Sequence, residues 1–257
     1  MGDRRGSNLG DRLRQRAAFA LIRQADPMIL YSDEHIVVVN KPAGIPVHRS
    51  RLVNDGDVYL IDQVRALVDG PLHLIHRLDR ATSGVLLIGR NAEVAGTLGR
   101  QFMQREVEKT YLAVCRGWPE EVGEIDYPLP GVRENSDRKP ALTRWKRLAT
   151  IEVPIAINRY PQQRYALVEV SPETGRYRQI RRHFAHLRHP LIGDTSHGRT
   201  EHNRLFKQHY NVHRLLLHAW RLQFDHPVEP RRMHIEAPLD GEFGALLERF
   251  GWTTAGT

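Results

Sequence analysis

Asp79 is the residue of this chain whose surroundings most suggest chemistry. It lies in the stretch His76-Arg-Leu-Asp-Arg-Ala-Thr-Ser-Gly84, between Arg77 and Arg80 and just before the apolar run Val85 to Ile88. A carboxylate in such a setting can attack covalently or accept a proton. Taken alone, the string fits better a surface turn whose aspartate makes a local salt bridge. Three further groups stand out by type and place. Lys41 sits at the exit of a β-branched run, Tyr111 lies near the start of another, and Arg176, Arg178, Arg181 and Arg182 crowd one short segment.

These residues need elements to hold them. Ile36 to Val39 followed by Asn40-Lys-Pro-Ala-Gly44 reads as a buried strand entering a turn. Val58, Ile61, Val64 and Val68 recur at helical spacing, predicting a helix over 57–68 with Asp55 and Asp57 as capping candidates. Val85 to Gly89 is a second strand, and Val94, Leu98 and Phe102 mark a helix ending near Glu106. Lys109 to Val114 predicts the strand that carries Tyr111. The span from Trp118 to Ala141, broken by proline and glycine, predicts long connections with one short strand near Ile125.

Thr143 to Leu148 and Tyr165 to Val170 alternate and read as paired antiparallel strands. Arg176 to Arg188 has a helical period. At about 100° per residue, Tyr177, Ile180, Phe184 and Leu187 share one apolar arc. Arg181 and Arg188 fall on its margin, and Arg178, Arg182, His186 and His189 point further toward solvent. A solvated basic helix satisfies the same pattern. Residues 199–212 show no clear period. A strand through His218 to Phe224 and a helix from Glu242 to Phe250 complete the chain.

Composition narrows the class. The 257 residues can bury a sizeable core, with 40% hydrophobic and 26% charged residues. Mean hydropathy is -0.49, and no apolar run approaches membrane-spanning length, so a cytoplasmic protein without a membrane partner is expected. A net charge of +8 brings nucleic acid into consideration. The single cysteine, Cys115, lies in an apolar run and rules out a disulfide framework. Fourteen histidines raise the question of a metal, but no His-Glu-x-x-His or carboxylate set stands at ligand spacing. His183, His186 and His189 read as solvated or RNA-facing. No Walker loop or dinucleotide fingerprint is present, so neither a metal nor an organic cofactor is expected. Residues 1–27, rich in arginine and without a signal's apolar core, read as a mobile basic arm before a domain over 28–257.

Six motifs in order carry a resemblance: Asn40-Lys-Pro-Ala-Gly44, His76 to Gly84, Lys109-Thr-Tyr111, Gly175-Arg-Tyr-Arg-Gln-Ile-Arg181, Ile192-Gly-Asp194 and Leu216-Leu-His-Ala219. Together they are similar to the motif set of the RluA-type pseudouridine synthases. That family breaks the glycosidic carbon–nitrogen bond of a uridine within RNA, turns the base, and joins it to the same ribose through carbon. The resemblance implies an α/β (α+β) fold, a mixed and mainly antiparallel central sheet with flanking helices, acting as a monomer on RNA and not DNA.

It further implies that Asp79 is the catalytic aspartate and that Arg181 is its basic partner. Near contact, such a pair interacts by about 4 kcal/mol at an effective dielectric of 20, before desolvation. Tyr111 matches the tyrosine that packs on the target base, and Arg77 the residue that fills the space a flipped base leaves. Lys41, Ile180 and Leu216 are expected to line the pocket, a core role being the alternative for the last two. Arg178 and Arg182 are expected on phosphates. Whether Asp79 attacks ribose, attacks base or acts as a base toward the sugar stays open.

Arg178 and His197 depart from the commoner histidine and tyrosine of the family. With Val47-His48-Arg49-Ser50 and Arg159-Tyr160-Pro161, they resemble the branch that modifies uridine 65 of tRNA. An rRNA site, or RNA binding without catalysis, are the alternatives.

Overall fold

The computed structural model describes residues 28–48, 58–133 and 135–254. The basic arm and the capping candidates Asp55 and Asp57 lie outside them. Ten strands form one sheet. In chain order they are β1 (Met28–Ser32), β2 (Ile36–Lys41), β3 (His73–Leu74), β4 (Ser83–Gly89), β5 (Glu108–Arg116), β6 (Val122–Asp126), β7 (Leu142–Val153), β8 (Gln163–Pro172), β9 (Leu217–Asp225) and β10 (Arg232–Glu236). The spatial order is β1-β2-β4-β9-β5-β8-β7-β6, with β10 on β9 and β3 on β4. Among the described residues five helices flank it: α1 (Leu60–Arg65), α2 (Ala92–Gln104), α3 (Gln179–His186), α4 (Thr200–Tyr210) and α5 (Gly241–Phe250). The mixed, mainly antiparallel sheet with flanking helices is the architecture the motifs imply.

Successive residues of the central strands enter different cores. On β2, Ile36 and Val38 pack with α2 through Val94 and Leu98, whereas Val37 and Val39 pack with α1 through Leu60 and Val64. On β5, Leu112 and Val114 face Phe206 and Phe243, while Ala113 and Cys115 face Phe184 of α3. Burial on both faces is why these strands read as apolar runs instead of clean alternation.

One junction shapes the molecule. Every named strand pair is antiparallel except β4 with β9, which meet over only Ser83↔His218 and Gly84↔Ala219. Gly84 has φ +111, and a Cβ there would lie 2.1 Å from the Ala219 carbonyl oxygen. Only glycine lets the two halves of the sheet touch this closely. The chain on either side of this junction lines a cleft, through Thr82 just before β4 and Leu217 at the start of β9.

The structure departs from the expected elements in four places. Residues 199–212, without visible period, hold α4, whose buried stripe is His202, Leu205 and Phe206. A histidine completes that stripe, hydrogen-bonded to Tyr165 Oη at 2.8 Å, so an apolar period misses it. The predicted helix over 176–188 is shorter, because Arg178 takes a left-handed conformation (φ 52) at its N-cap. His183 is not solvated. It is fully buried, Nδ1 lying 2.9 Å from Thr143 Oγ1 and Nε2 3.0 Å from the Tyr127 carbonyl. The helix over 57–68 is confined to α1, with Tyr59 at its N-cap.

Buried histidines couple the fold to pH. Burial pulls His202 and His218 down to about 4, below the ordinary value near 6.5. The folded state therefore resists protons that the unfolded chain takes up. Stability is complete above about pH 6.5 and is lost as the pH falls toward 4, on the order of 1–3 kcal/mol for each histidine. Thermal unfolding should show the midpoint dropping across this window, and His202→Gln should flatten the decline.

Candidate active site

The cleft has a volume of about 680 Å³. One wall is the segment 75–79 with the C-terminal end of α2. The other is residues 172–181, which run from the end of β8 into α3. Asp79 and Arg181 come from opposite walls and meet, Arg181 Nη1 donating to Asp79 Oδ2 at 3.0 Å. The carboxylate retains 22% of its side-chain exposure while the guanidinium keeps 5%. Asp79 therefore presents charge to the cleft from a buried support.

The support continues inward. Arg181 Nε and Nη2 donate to the two oxygens of Asp194 at 2.8 and 2.7 Å, a bidentate pair. Asp194 is itself 1% exposed, and its Oδ1 also accepts the backbone N–H of Ser196 and His197 at 2.8 and 2.9 Å. Burial opposes its charge, but the Arg181 hydrogen bonds and these amides outweigh it and hold the carboxyl below the usual carboxylate range. The turn is locked in place: Asn203 donates to the Asp194 carbonyl and accepts from Gly193 N–H, and Gly193 (φ +78) passes against the Arg214 carbonyl. The motif Ile192-Gly-Asp194 was legible as a motif, but nothing in the sequence ties its carboxylate to Arg181, 13 residues away across a helix and a turn.

Tyr111 lies in the same cleft. A bulge between Thr110 and Tyr111 shifts the pairing of β5 with β9 at this residue. Burial first, and then the nearby Asp79 carboxylate, push the phenol well above its usual range, so it stays neutral. His76 accepts the Leu87 N–H at 3.0 Å and stacks on Phe102, with ring centres 4.6 Å apart. That contact fastens the segment before Asp79 to β4 and α2. Cations dominate the lining: Arg77, Arg105, Lys109, Arg176, Arg178 and Arg181 stand against Asp79 and Glu173.

The remaining site expectations divide. Arg77 is exposed on the cleft wall, Ile180 lines it, and Arg178 lines it with its guanidinium 4.8 Å over the Tyr177 ring. Leu216 does not line it. It is fully buried in the core with Phe206 and Phe243, and its neighbour Leu217 faces the cleft, because consecutive residues of an extended segment point to opposite sides. Arg182 is not an outward residue: Nη1 donates to the carbonyls of Pro130 at 2.8 Å and Tyr177 at 3.4 Å. Lys41 does not reach the cleft either. Its Nζ is fully buried and donates to the carbonyls of Pro42, Ile45 and Arg80 at 2.7, 2.8 and 3.1 Å. Burial brings its pKa down to about 7. Among the described residues, no three His, Cys, Asp or Glu side chains are grouped as a metal would require.

Lys41 thus ties the turn after β2 to the residue next to Asp79. Lys41→Met would take the ammonium from three carbonyls, of which that of Arg80 keeps the Gly44 N–H, and urea unfolding should register a loss of about 1–3 kcal/mol.

Comparison with known proteins places this geometry. The model of a family described as RNA pseudouridylate synthase matches residues 35–186. The tRNA pseudouridine synthase C of Vibrio cholerae is 42% identical over 233 residues, covering 87% of this chain and 96% of its own. That of Yersinia pestis is 44% identical over 234 residues, covering 88% and 91%. Among solved structures, Human RNA Pseudouridylate Synthase Domain Containing 4 superposes with a TM-score of 0.69 at 25% identity, covering 94% of this chain and 98% of that one. Human RNA Pseudouridylate Synthase Domain Containing 1 gives 0.67 at 25% identity, covering 84% of each chain. Motif order, sheet topology and close relatives along almost the whole described chain converge, and the chain belongs to the RNA pseudouridylate synthase family.

Proposed function

We propose that this pseudouridine synthase acts on tRNA, at uridine 65, with Asp79 as the catalytic carboxylate. The observation that carries the reading is the pairing of Asp79 with Arg181 at 3.0 Å on the wall of a cation-rich cleft that also holds Tyr111. The names of the relatives support tRNA as substrate, and the residues shared with the uridine-65 branch support the position.

A stacked uridine is out of reach of Asp79 and has to leave the helix, at a cost of a few kcal/mol. The cationic walls draw the phosphates in and offset part of that cost. Arg77, exposed at the wall, offers a flat guanidinium to the gap in the stack. The extruded base then lies against Tyr111, whose neutral phenol brings no second negative charge beside Asp79.

Of the carboxylate's two oxygens, Arg181 holds Oδ2. Oδ1 is the oxygen left to meet the nucleotide. The isomerisation breaks the bond between the ribose and the base nitrogen, forms one from the same ribose carbon to the base carbon, and moves one proton from that carbon to the released nitrogen. Nothing is oxidised or lost. Asp79 supplies the electron pair that starts this sequence, by covalent attack or as a base, and is restored at its end. Arg181 stabilises the carboxylate whenever it is free.

The test is a time course with unmodified tRNA transcript, mapped by carbodiimide reaction. Asp79→Asn keeps the shape and one hydrogen-bond acceptor for Arg181 but has no negative charge, so pseudouridine formation should fall at least ~10³-fold. Equal yields from variant and wild type would sink the assignment of Asp79. Modification only at another position or in rRNA would overturn the substrate.

A further inference from the structure

Two exposed apolar side chains stand on the rim of the cleft, one to each wall. Met103, 77% exposed, lies near the end of α2, and Val132, 62% exposed, lies in the turn after Pro130. Large apolar groups this exposed are individually unremarkable on a protein surface. Their placement is what needs a reason, because the cleft between them is lined by six cationic side chains and two acidic ones.

Both are held in position. Met103 follows Phe102, which stacks on His76 three residues before Asp79. The Val132 turn is closed by Ser136, whose Oγ accepts Gly131 N–H and donates to the Arg133 carbonyl, each at 2.6 Å. Arg182 fastens its base through the Pro130 carbonyl, and Arg182 is the neighbour of Arg181. Each rim residue is therefore attached to the wall that supplies one member of the Asp79–Arg181 pair. A cation-lined cleft with two fixed apolar tips fits a polyanion that also offers flat, apolar faces.

We propose that Met103 and Val132 are base-contacting residues that pack against the nucleobases flanking the extracted uridine. Removing one base from a stack leaves its neighbours with uncovered faces, and an apolar wedge or a polarisable thioether covers such a face where a hydrated cation does so poorly. Arg77 occupies the gap itself, and the rim pair covers what lies to either side. The inference deepens the proposed action on tRNA and rests on it.

The experiment measures binding of unmodified tRNA transcript as a function of salt, and pseudouridine formation separately. It uses wild type, Met103→Ser, Val132→Ser, Met103→Leu, and Val228→Ser, an exposed apolar residue away from the cleft. Each rim serine variant should weaken binding roughly fivefold to tenfold, the loss of about 1–1.4 kcal/mol of contact. The slope of log affinity against log salt should not change, because no phosphate contact is lost. Met103→Leu should bind like wild type, as should Val228→Ser. Binding unchanged in both serine variants overturns the inference, and so does a weakened binding accompanied by a smaller salt slope. Rim-sensitive binding without pseudouridine in tRNA would contradict the substrate while leaving the rim contact standing. Conversion of tRNA with no rim sensitivity would do the reverse.

Discussion

Arg181 is a nearly buried guanidinium between two carboxylates, and the site is arranged around what that requires. A cation out of water is tolerable only with close, well-oriented partners. Asp194 supplies two parallel hydrogen bonds from the inside, and Asp79 supplies a third from the cleft. Asp194 can carry its charge at 1% exposure because two backbone amides share it. Fixing the turn fixes Asp194, Asp194 fixes Arg181, and Arg181 sets where the Asp79 carboxylate stands. The three side chains carry one net negative charge, and Asp79, the most exposed of them, presents it where RNA would enter.

The sheet makes that meeting possible. Asp79 precedes β4 and Arg181 follows β8, and among the described residues these strands belong to halves of the sheet whose one strand pairing is the short parallel contact of β4 with β9. The bare backbone of Gly84 lets that contact be tight. His76 on one side and Arg182 on the other then fasten the loops of each wall to the framework.

Much of this was legible in the residues. The β-branched run at Ile36 and the period of Val94, Leu98 and Phe102 located β2 and α2, because continuous burial or a regular stripe leaves a strong pattern. Asp79, Tyr111 and Arg181 were found through ordered motifs and share one cleft. What escaped depends on long-range packing. Helical angles put Arg181 at a margin but could not show that Arg182, next to it, turns back to a loop carbonyl. Leu216 and Leu217 are chemically equal, and only the register of the chain leading into β9 decides which meets the cleft. His183 read as solvated or RNA-facing, and His202 hid the period of α4, because their partners, Thr143, Tyr127 and Tyr165, are remote in sequence. Lys41 looked like a cleft residue, but three carbonyls within its reach make it a brace.

A buried carboxylate, Asp194, sets the proposed catalytic one, Asp79, through Arg181. The most direct test is the single-turnover rate of pseudouridine formation at saturating tRNA for Asp194→Asn. The substitution keeps the volume and removes the charge that holds the guanidinium. The expected rate is lower by about ten- to a hundredfold with tRNA affinity unchanged, since Arg181 would no longer be held in the geometry that places Asp79. A wild-type rate in that variant, with the fold intact, would contradict it.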